Sequence, residues 1–192
     1  MINIVLFGPP GSGKGTQAQN LIEKFNLKQI STGDLFRYNM KNNTELGELA
    51  KSYIDKGELV PDQVTIEMLT DELKKPCDAQ GFIFDGFPRT AKQTEALEQI
   101  VKDVLNGEIN VCLSLIVEDQ VLVERLLKRG ETSGRTDDSN KEIISNRIKE
   151  YYAKTAEVAE LYKQQGKYVE VNGVGEIAVI SEKLFAEVEK IK

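Results

Sequence analysis

Two kinds of apolar pattern alternate along this chain. Short runs rich in β-branched and aromatic residues predict strands at Ile2–Phe7, Lys28–Ser31, 82–85, 111–117 and 168–171. The first of these reads as buried on both faces. Between them, apolar residues recur every three or four positions, as amphipathic helices require. Ala18, Leu21, Ile22 and Phe25 form one such face, and Leu97, Ile100, Val101, Val104 and Leu105 form another. A third stripe runs through Ile144, Ile148, Tyr151, Thr155, Val158 and Tyr162, and core packing accounts for its aromatic content. The alternation predicts an α/β protein built on a parallel sheet.

Two stretches break the alternation. Residues 31–60 insert small helices between the second and third strands and end in the turn-like Lys56-Gly57-Glu58-Leu59-Val60-Pro61. Residues 129–138, RGETSGRTDD, read as a polar, glycine-containing loop between two helices. Each falls where strand C-termini open onto a ligand in such sheets, so both are candidate mobile flaps.

A length of 192 residues suits one well-packed domain, with 40% hydrophobic and 29% charged residues. The net charge of −6 argues against a dedicated nucleic-acid or anionic-membrane binder. The sequence holds no histidine, and Cys77 and Cys112 lack metal-ligand spacing, so a Cys/His zinc site cannot be built and both thiols are expected to be reduced. The opening apolar run is far shorter than the ~20 residues a bilayer needs, and a cytoplasmic location is expected.

The first strand leads into Gly8-Pro9-Pro10-Gly11-Ser12-Gly13-Lys14-Gly15-Thr16, and a helix follows. Strand, glycine-rich turn, lysine and helix in that order form a phosphate-binding loop. Its glycines turn backbone N–H groups inward, the helix N-terminus adds positive field, and Lys14 reaches the β- and γ-phosphates of a nucleoside triphosphate. Gly15 stands between Lys14 and Thr16, where the general pattern has Ser or Thr directly after the lysine. Direct magnesium ligation by Thr16 is therefore not assured, and contact with the α-phosphate is its alternative.

Such a loop is shared by ATPases, switches, motors and kinases, and here the arginines discriminate. There are six: Arg37, Arg89, Arg125, Arg129, Arg135 and Arg147. Guanidinium forks bind phosphate oxygens in pairs. Arg89 follows Phe82-Ile83-Phe84-Asp85-Gly86-Phe87-Pro88, in which Asp85 offers a carboxylate to magnesium-bound water and Gly86 permits close backbone approach. Arg89 and Gln93 are four apart at a helix start, expected on one face, one for a phosphate and one for a base. Arg37 follows Ser31-Thr32-Gly33-Asp34, where Thr32 caps a short helix or contacts ligand. Without histidine, the acceptor is expected to be a group already ionised at neutral pH, such as a nucleoside monophosphate.

Taken together, GPPGSGKGTQ, STGDLFR, GELVPD, FDGFPRTAKQ, RLLKRGETSGRTDD and the later arginine-bearing helix resemble the adenylate kinase family of the short-lid type over essentially the whole chain. The resemblance implies a monomeric, three-layer α/β/α phosphate-loop fold with a five-stranded parallel sheet. Residues 1–30, 61–127 and 139–192 would form the core, 31–60 a monophosphate-binding insert and 128–138 a short lid. It implies ATP and AMP as substrates, ADP as product, magnesium with ATP, and no zinc, nucleic-acid or membrane partner. ATP maps onto Gly11, Ser12, Gly13, Lys14, Gly15 and Thr16, with Arg125, Arg129 and the backbone near Gly175 at the base. AMP maps onto Thr32, Arg37, Glu58, Leu59, Val60, Gly86, Phe87, Pro88, Arg89 and Gln93. Arg135 and Arg147 match arginines that bridge the reacting phosphates. The stretch Asp137-Asp138-Ser139-Asn140-Lys141 is one residue longer than in short-lid relatives.

Two rivals stay open. UMP/CMP kinases share the phosphate loop and the Asp-Gly-Phe-Pro-Arg segment but are Asn-rich where this chain has Thr90-Ala91-Lys92-Gln93. A nucleotide-dependent binding switch would use the phosphate loop alone and leave the second set of arginines unexplained.

Overall fold

The computed structural model describes residues 1–138 and 140–192; Ser139, the first residue of the expected third core segment, lies outside the described residues. Five strands form one all-parallel sheet: β1 Ile2–Phe7, β2 Lys28–Ser31, β3 Gly81–Asp85, β4 Val111–Ile116 and β5 Tyr168–Asn172. Their order is β2-β3-β1-β4-β5. The expected five-stranded parallel α/β sheet is present, with ends moved by a residue. β3 begins at Gly81 because the strands pack tightly there: a Cβ at 81 would lie 1.8 Å from the Ile2 carbonyl oxygen.

Alternation along β1 divides the core. Ile4 and Leu6 face α1 (Lys14–Phe25) and α9 (Ile177–Glu189), packing with Ala18, Leu21, Leu184 and Val188. Val5 and Phe7 face the opposite layer, formed by α4 (Asp62–Leu73), α5 (Ala91–Leu105) and α8 (Ala156–Gln164). There they meet Leu69, Leu97, Val101, Val158 and Tyr162, all fully buried. Three layers result, each helix covering apolar sheet that would otherwise meet water.

Because the strands are parallel, their C-termini share one edge. Register pairs Leu6 with Asp85 and Ser31 with Asp85. The phosphate loop after β1, Asp85 and the start of the insert are thus set side by side before any side chain is considered.

The insert holds α2 (Thr32–Lys41) and α3 (Glu45–Ile54), with a small core of Phe36, Ala50 and Val60. Two sequence expectations need correction here. The cap of α2 is Ser31, whose hydroxyl accepts from Asp34 N–H, so Thr32 is not the capping residue. The stretch 129–138 is not all loop: α6 (Asp119–Ser133) continues through RGETS and stops at Gly134, at φ 64°. Only 134–138 leaves the helix, with a 3-10 turn at Thr136–Asp138. The propensity of the intervening residues is compatible with helix, and glycine supplies the left-handed stop. α7 (Lys141–Glu150) follows and joins α8 through a π-helical turn, Tyr151–Thr155.

Candidate active site

Two cavities open at the C-terminal edge of the sheet. The larger, about 400 Å³, lies against Gly11, Gly13, Lys14, Gly15 and Thr16 and includes Asp85 and all six arginines. The smaller, about 90 Å³, lies between Thr32, Glu58, Leu59 and Val60 of the insert and Gly86 and Gln93 of the core. They share a wall containing Arg37, Arg89 and Arg147.

The local fold explains each placement. β1 ends at Phe7, and Gly8, Gly11 and Gly13 take positive φ as the chain wraps the loop. Gly11 also has no room for a side chain, since a Cβ would sit 2.9 Å from the Leu126 side chain. The Lys14 ammonium donates to the carbonyls of Gly8 (2.7 Å) and Pro9 (2.9 Å), which holds it over the loop. Ser12, within the loop, is buried. Asp85 ends β3 and accepts from Gln29 Nε2 at 3.1 Å. Thr32 Oγ1 and Arg89 Nε both donate to the carbonyl of Gly86, at 3.0 and 2.8 Å. Phe87 is buried, and with Pro88 it lines the larger cavity rather than the smaller.

Arg89 precedes α5 instead of lying on its face. Its backbone N–H donates to Gln93 Oε1 at 2.8 Å, so the four-residue spacing is realised as a contact at the helix start. Arg125 reaches across to the carbonyl of Gly173 (3.1 Å) and, more distantly, of Ser12 (3.5 Å). Gly175 is exposed and lines neither cavity.

A match to the family model described as Adenylate kinase spans residues 6–167. The chain is 53% identical to the adenylate kinase of Flavobacterium psychrophilum, covering 96% of each chain. It is 50% identical to that of Flavobacterium johnsoniae and 46% identical to that of Bacteroides fragilis strain ATCC 25285, covering 100% of each chain in both cases. The chain belongs to the adenylate kinase family. It is accordingly a phosphotransferase of the nucleoside monophosphate kinase type.

The electrostatics of this adenylate kinase site favour a polyanion. Seven cationic side chains and two carboxylates, Asp34 and Asp85, line the larger cavity of a chain whose net charge is −6. Burial pushes Lys14 down to about 8; Asp85 opposes that shift, while Arg89, Arg147 and Arg129 add to it. Burial and then the neighbouring Arg147 lower Arg89 to about 10. Arg135 is lowered by burial and by Arg37. Each shift means that bringing these charges together costs free energy that a phosphate chain would return.

Four acidic residues and two from the π-helical turn stand here that sequence reasoning did not assign. Asp138, 1% exposed, accepts from Arg129 through both oxygens (2.6 and 3.0 Å) and also takes Arg147 Nη1. Burial raises its pKa, but the bonds and charges of Arg129 and Arg147 outweigh that and hold it below the ordinary carboxylate value. Asp137 pairs with Arg147 Nη2 at 3.0 Å. Asp34 binds Arg37 at 2.6 Å and lies 3.7 Å from Arg135. Asp62 contacts Gln93, and Tyr151 and Thr155 line both cavities. The acidic pair after Arg135 was the available signal for two of these. Nothing local marked the turn residues, and the motif GELVPD, which ends at Asp62, did not reveal its contact with Gln93.

Proposed function

We propose that this chain catalyses ATP + AMP = 2 ADP by aligning the two nucleotides in the two cavities and neutralising the moving phosphoryl group at their shared wall. The observation that carries this reading is the junction itself, where Arg37, Arg89 and Arg147 belong to both cavities. ATP takes the larger, its phosphates on Gly11–Thr16 and its base toward Arg125 and Arg129. AMP takes the smaller, with its base among Thr32, Glu58, Leu59, Val60 and Gln93 and its phosphate at Arg37 and Arg89.

An AMP phosphate oxygen attacks the γ-phosphorus in line, and the bond from that phosphorus to the β–γ bridging oxygen breaks. ADP forms on each side. The attacking phosphate is already ionised near neutral pH, so no general base is needed. Lys14, Arg89, Arg135 and Arg147 stabilise charge spread over the transferring oxygens, and the enclosed geometry supplies alignment.

Magnesium with ATP fits this site. Asp85 lines the same cavity as Lys14, Gly15 and Thr16, and one carboxylate suits an ion that keeps most of its waters. Asp85 would hold it through water, and the ion would neutralise charge on the phosphate oxygens.

Residues 31–60 and 128–138 act as the moving parts over a core of 1–30, 61–127 and 139–192. The chain works as a monomer, as the resemblance to short-lid adenylate kinases implies. An exposed free thiol at Cys77 suits the reducing cytoplasm. No helix among the described residues is long and apolar enough to cross a membrane.

A phosphate-acceptor panel tests the reading. With ATP and magnesium, ADP should form rapidly with AMP, more slowly with dAMP, and hardly with CMP, UMP or GMP. ADP formation at an equal rate without any monophosphate would overturn it in favour of hydrolysis.

A further inference from the structure

Asp62 is the first residue of α4. It does not line either cavity, yet it touches Gln93, a buried amide that does. Gln93 is 2% exposed. Its Oε1 accepts from Arg89 N–H at 2.8 Å, and its Nε2 donates to Asp62 Oδ1 at 2.8 Å. Thr90 Oγ1 donates to the same carboxylate, 3.2 Å from each oxygen, and accepts from Gln93 N–H at 3.2 Å. Asp62, Thr90 and Gln93 close a ring.

A backbone N–H only donates and a carboxylate only accepts, so these two partners admit one orientation of the amide. Turning it over would set N–H against N–H and oxygen against carboxylate. The remaining lone pair of Oε1 and the remaining hydrogen of Nε2 are thereby fixed in order. A base meeting that edge must bring a donor to the oxygen and an acceptor to the nitrogen. The 6-amino group and N1 of adenine are so arranged. A 6-oxopurine carries the reverse order and meets two repulsive contacts.

We propose that Asp62 is a positioning residue that locks the Gln93 amide and so makes the monophosphate site select a 6-aminopurine over a 6-oxopurine. This rests on the reading that AMP occupies the smaller cavity. A purely structural role is the competing account, because Asp62 also ties the start of α4 to the start of α5. The two accounts differ in base preference.

The test measures kcat and KM for AMP and IMP, with ATP and magnesium, in wild type, Asp62→Ala, Asp62→Asn, Gln93→Leu and the Asp62→Ala/Gln93→Leu double variant. Asp62→Ala should raise the KM for AMP about tenfold, the scale of one charge-assisted hydrogen bond, with the KM for ATP within about twofold. Its preference for AMP over IMP should fall, while Asp62→Asn, which keeps an acceptor oxygen, should retain most of it. In the Gln93→Leu background, Asp62→Ala should change preference no further. Equal weakening of AMP and IMP by Asp62→Ala overturns the proposal, as does an undiminished effect in the double variant. If Asp62→Ala is silent on preference while Gln93→Leu is not, Asp62 alone is misassigned. If Gln93→Leu is silent too, the placement of AMP against Gln93 fails with it. Should Asp62→Ala not fold, the wild-type protein still decides by NMR. A locked amide gives Gln93 side-chain N–H signals that exchange far more slowly than a free glutamine, and exchange at the free rate overturns the proposal.

Discussion

At the scale of single residues, Lys14 shows how the site stores a cost that substrate relieves. Its ammonium is held by two loop carbonyls, but burial and the surrounding arginines bring its pKa down from 10.5 to about 8. The sign follows directly: the folded protein binds fewer protons here than the unfolded chain between about pH 8 and 10.5, so charged Lys14 disfavours folding below pH 8 and that penalty fades as pH rises. A triphosphate restores the charge. Nucleotide binding should therefore take up ~0.9 proton at pH 9 and only ~0.1 at pH 7, from the ordinary titration of a pKa of about 8 moving above 10.5. Calorimetry in two buffers of different ionisation enthalpy checks this, and ATP affinity should weaken as pH climbs past 8. Equal enthalpies in both buffers at pH 9 would show that Lys14 stays charged without ligand.

Among the elements, the join between α7 and α8 carries most consequence for the site. Ile144 and Ile148 pack with Leu122 and Leu126, whereas Val158 and Tyr162 pack against the sheet. The π-helical turn Tyr151–Thr155 accompanies this change of partner and brings Tyr151 and Thr155 to both cavities. Thr155 Oγ1 donates to the carbonyl of Arg89 at 3.1 Å, so the turn helps to hold the arginine at the cavity junction. Thr155→Val keeps the shape and removes the donor. It should destabilise the fold by about 1–3 kcal/mol, as an unsatisfied buried carbonyl does, with a fall in kcat that exceeds any change in the KM for ATP. Urea denaturation and steady-state kinetics measure the two; unchanged stability would mean that the hydroxyl bond contributes nothing net. The apolar stripe from Ile144 to Tyr162 was legible in the sequence because helical period survives in side-chain type. The π-turn was not, because neither glycine nor proline marks it. The strands and phosphate loop were legible for the same reason as the stripe: strong local patterns determine them. The end of α6 at Ser133 was misplaced, since polar residues in RGETS are compatible with both loop and helix. The pairing of Asp62 with Gln93 stayed hidden for another reason. The contact between Asp62 and Gln93 spans 31 positions and exists only once α4 and α5 pack.

Over the whole molecule, the insert meets the 134–138 segment and α7 across the cavities through a few partly exposed contacts. Thr136 Oγ1 donates to Asp55 Oδ1 at 2.7 Å, Asn146 Nδ2 donates to the Lys56 carbonyl at 2.7 Å, and Arg135 stands 3.7 Å from Asp34. Contacts of this kind are individually worth ~1 kcal/mol or less, too little to hold two flaps closed against the repulsion of clustered arginines. A polyanion spanning both cavities changes that balance, because it pairs with cations contributed by the core, the insert and the lid together. A ligand joining two adenosines through five phosphates should therefore protect residues 31–60 and 128–138 from proteolysis in concert, whereas ATP alone should leave 31–60 open to cutting. Arg135 separates closure from chemistry. Arg135→Lys keeps the charge that draws the lid inward and loses the planar fork that binds two phosphate oxygens at once. It should close on the bisubstrate ligand as the wild type does, keep the KM for ATP within a few-fold, and turn over ~10²-fold more slowly. Limited proteolysis with and without ligand, alongside steady-state rates, distinguishes the possibilities: native turnover in Arg135→Lys would leave the fork no part in phosphoryl transfer, and lost protection would make Arg135 a closure contact instead.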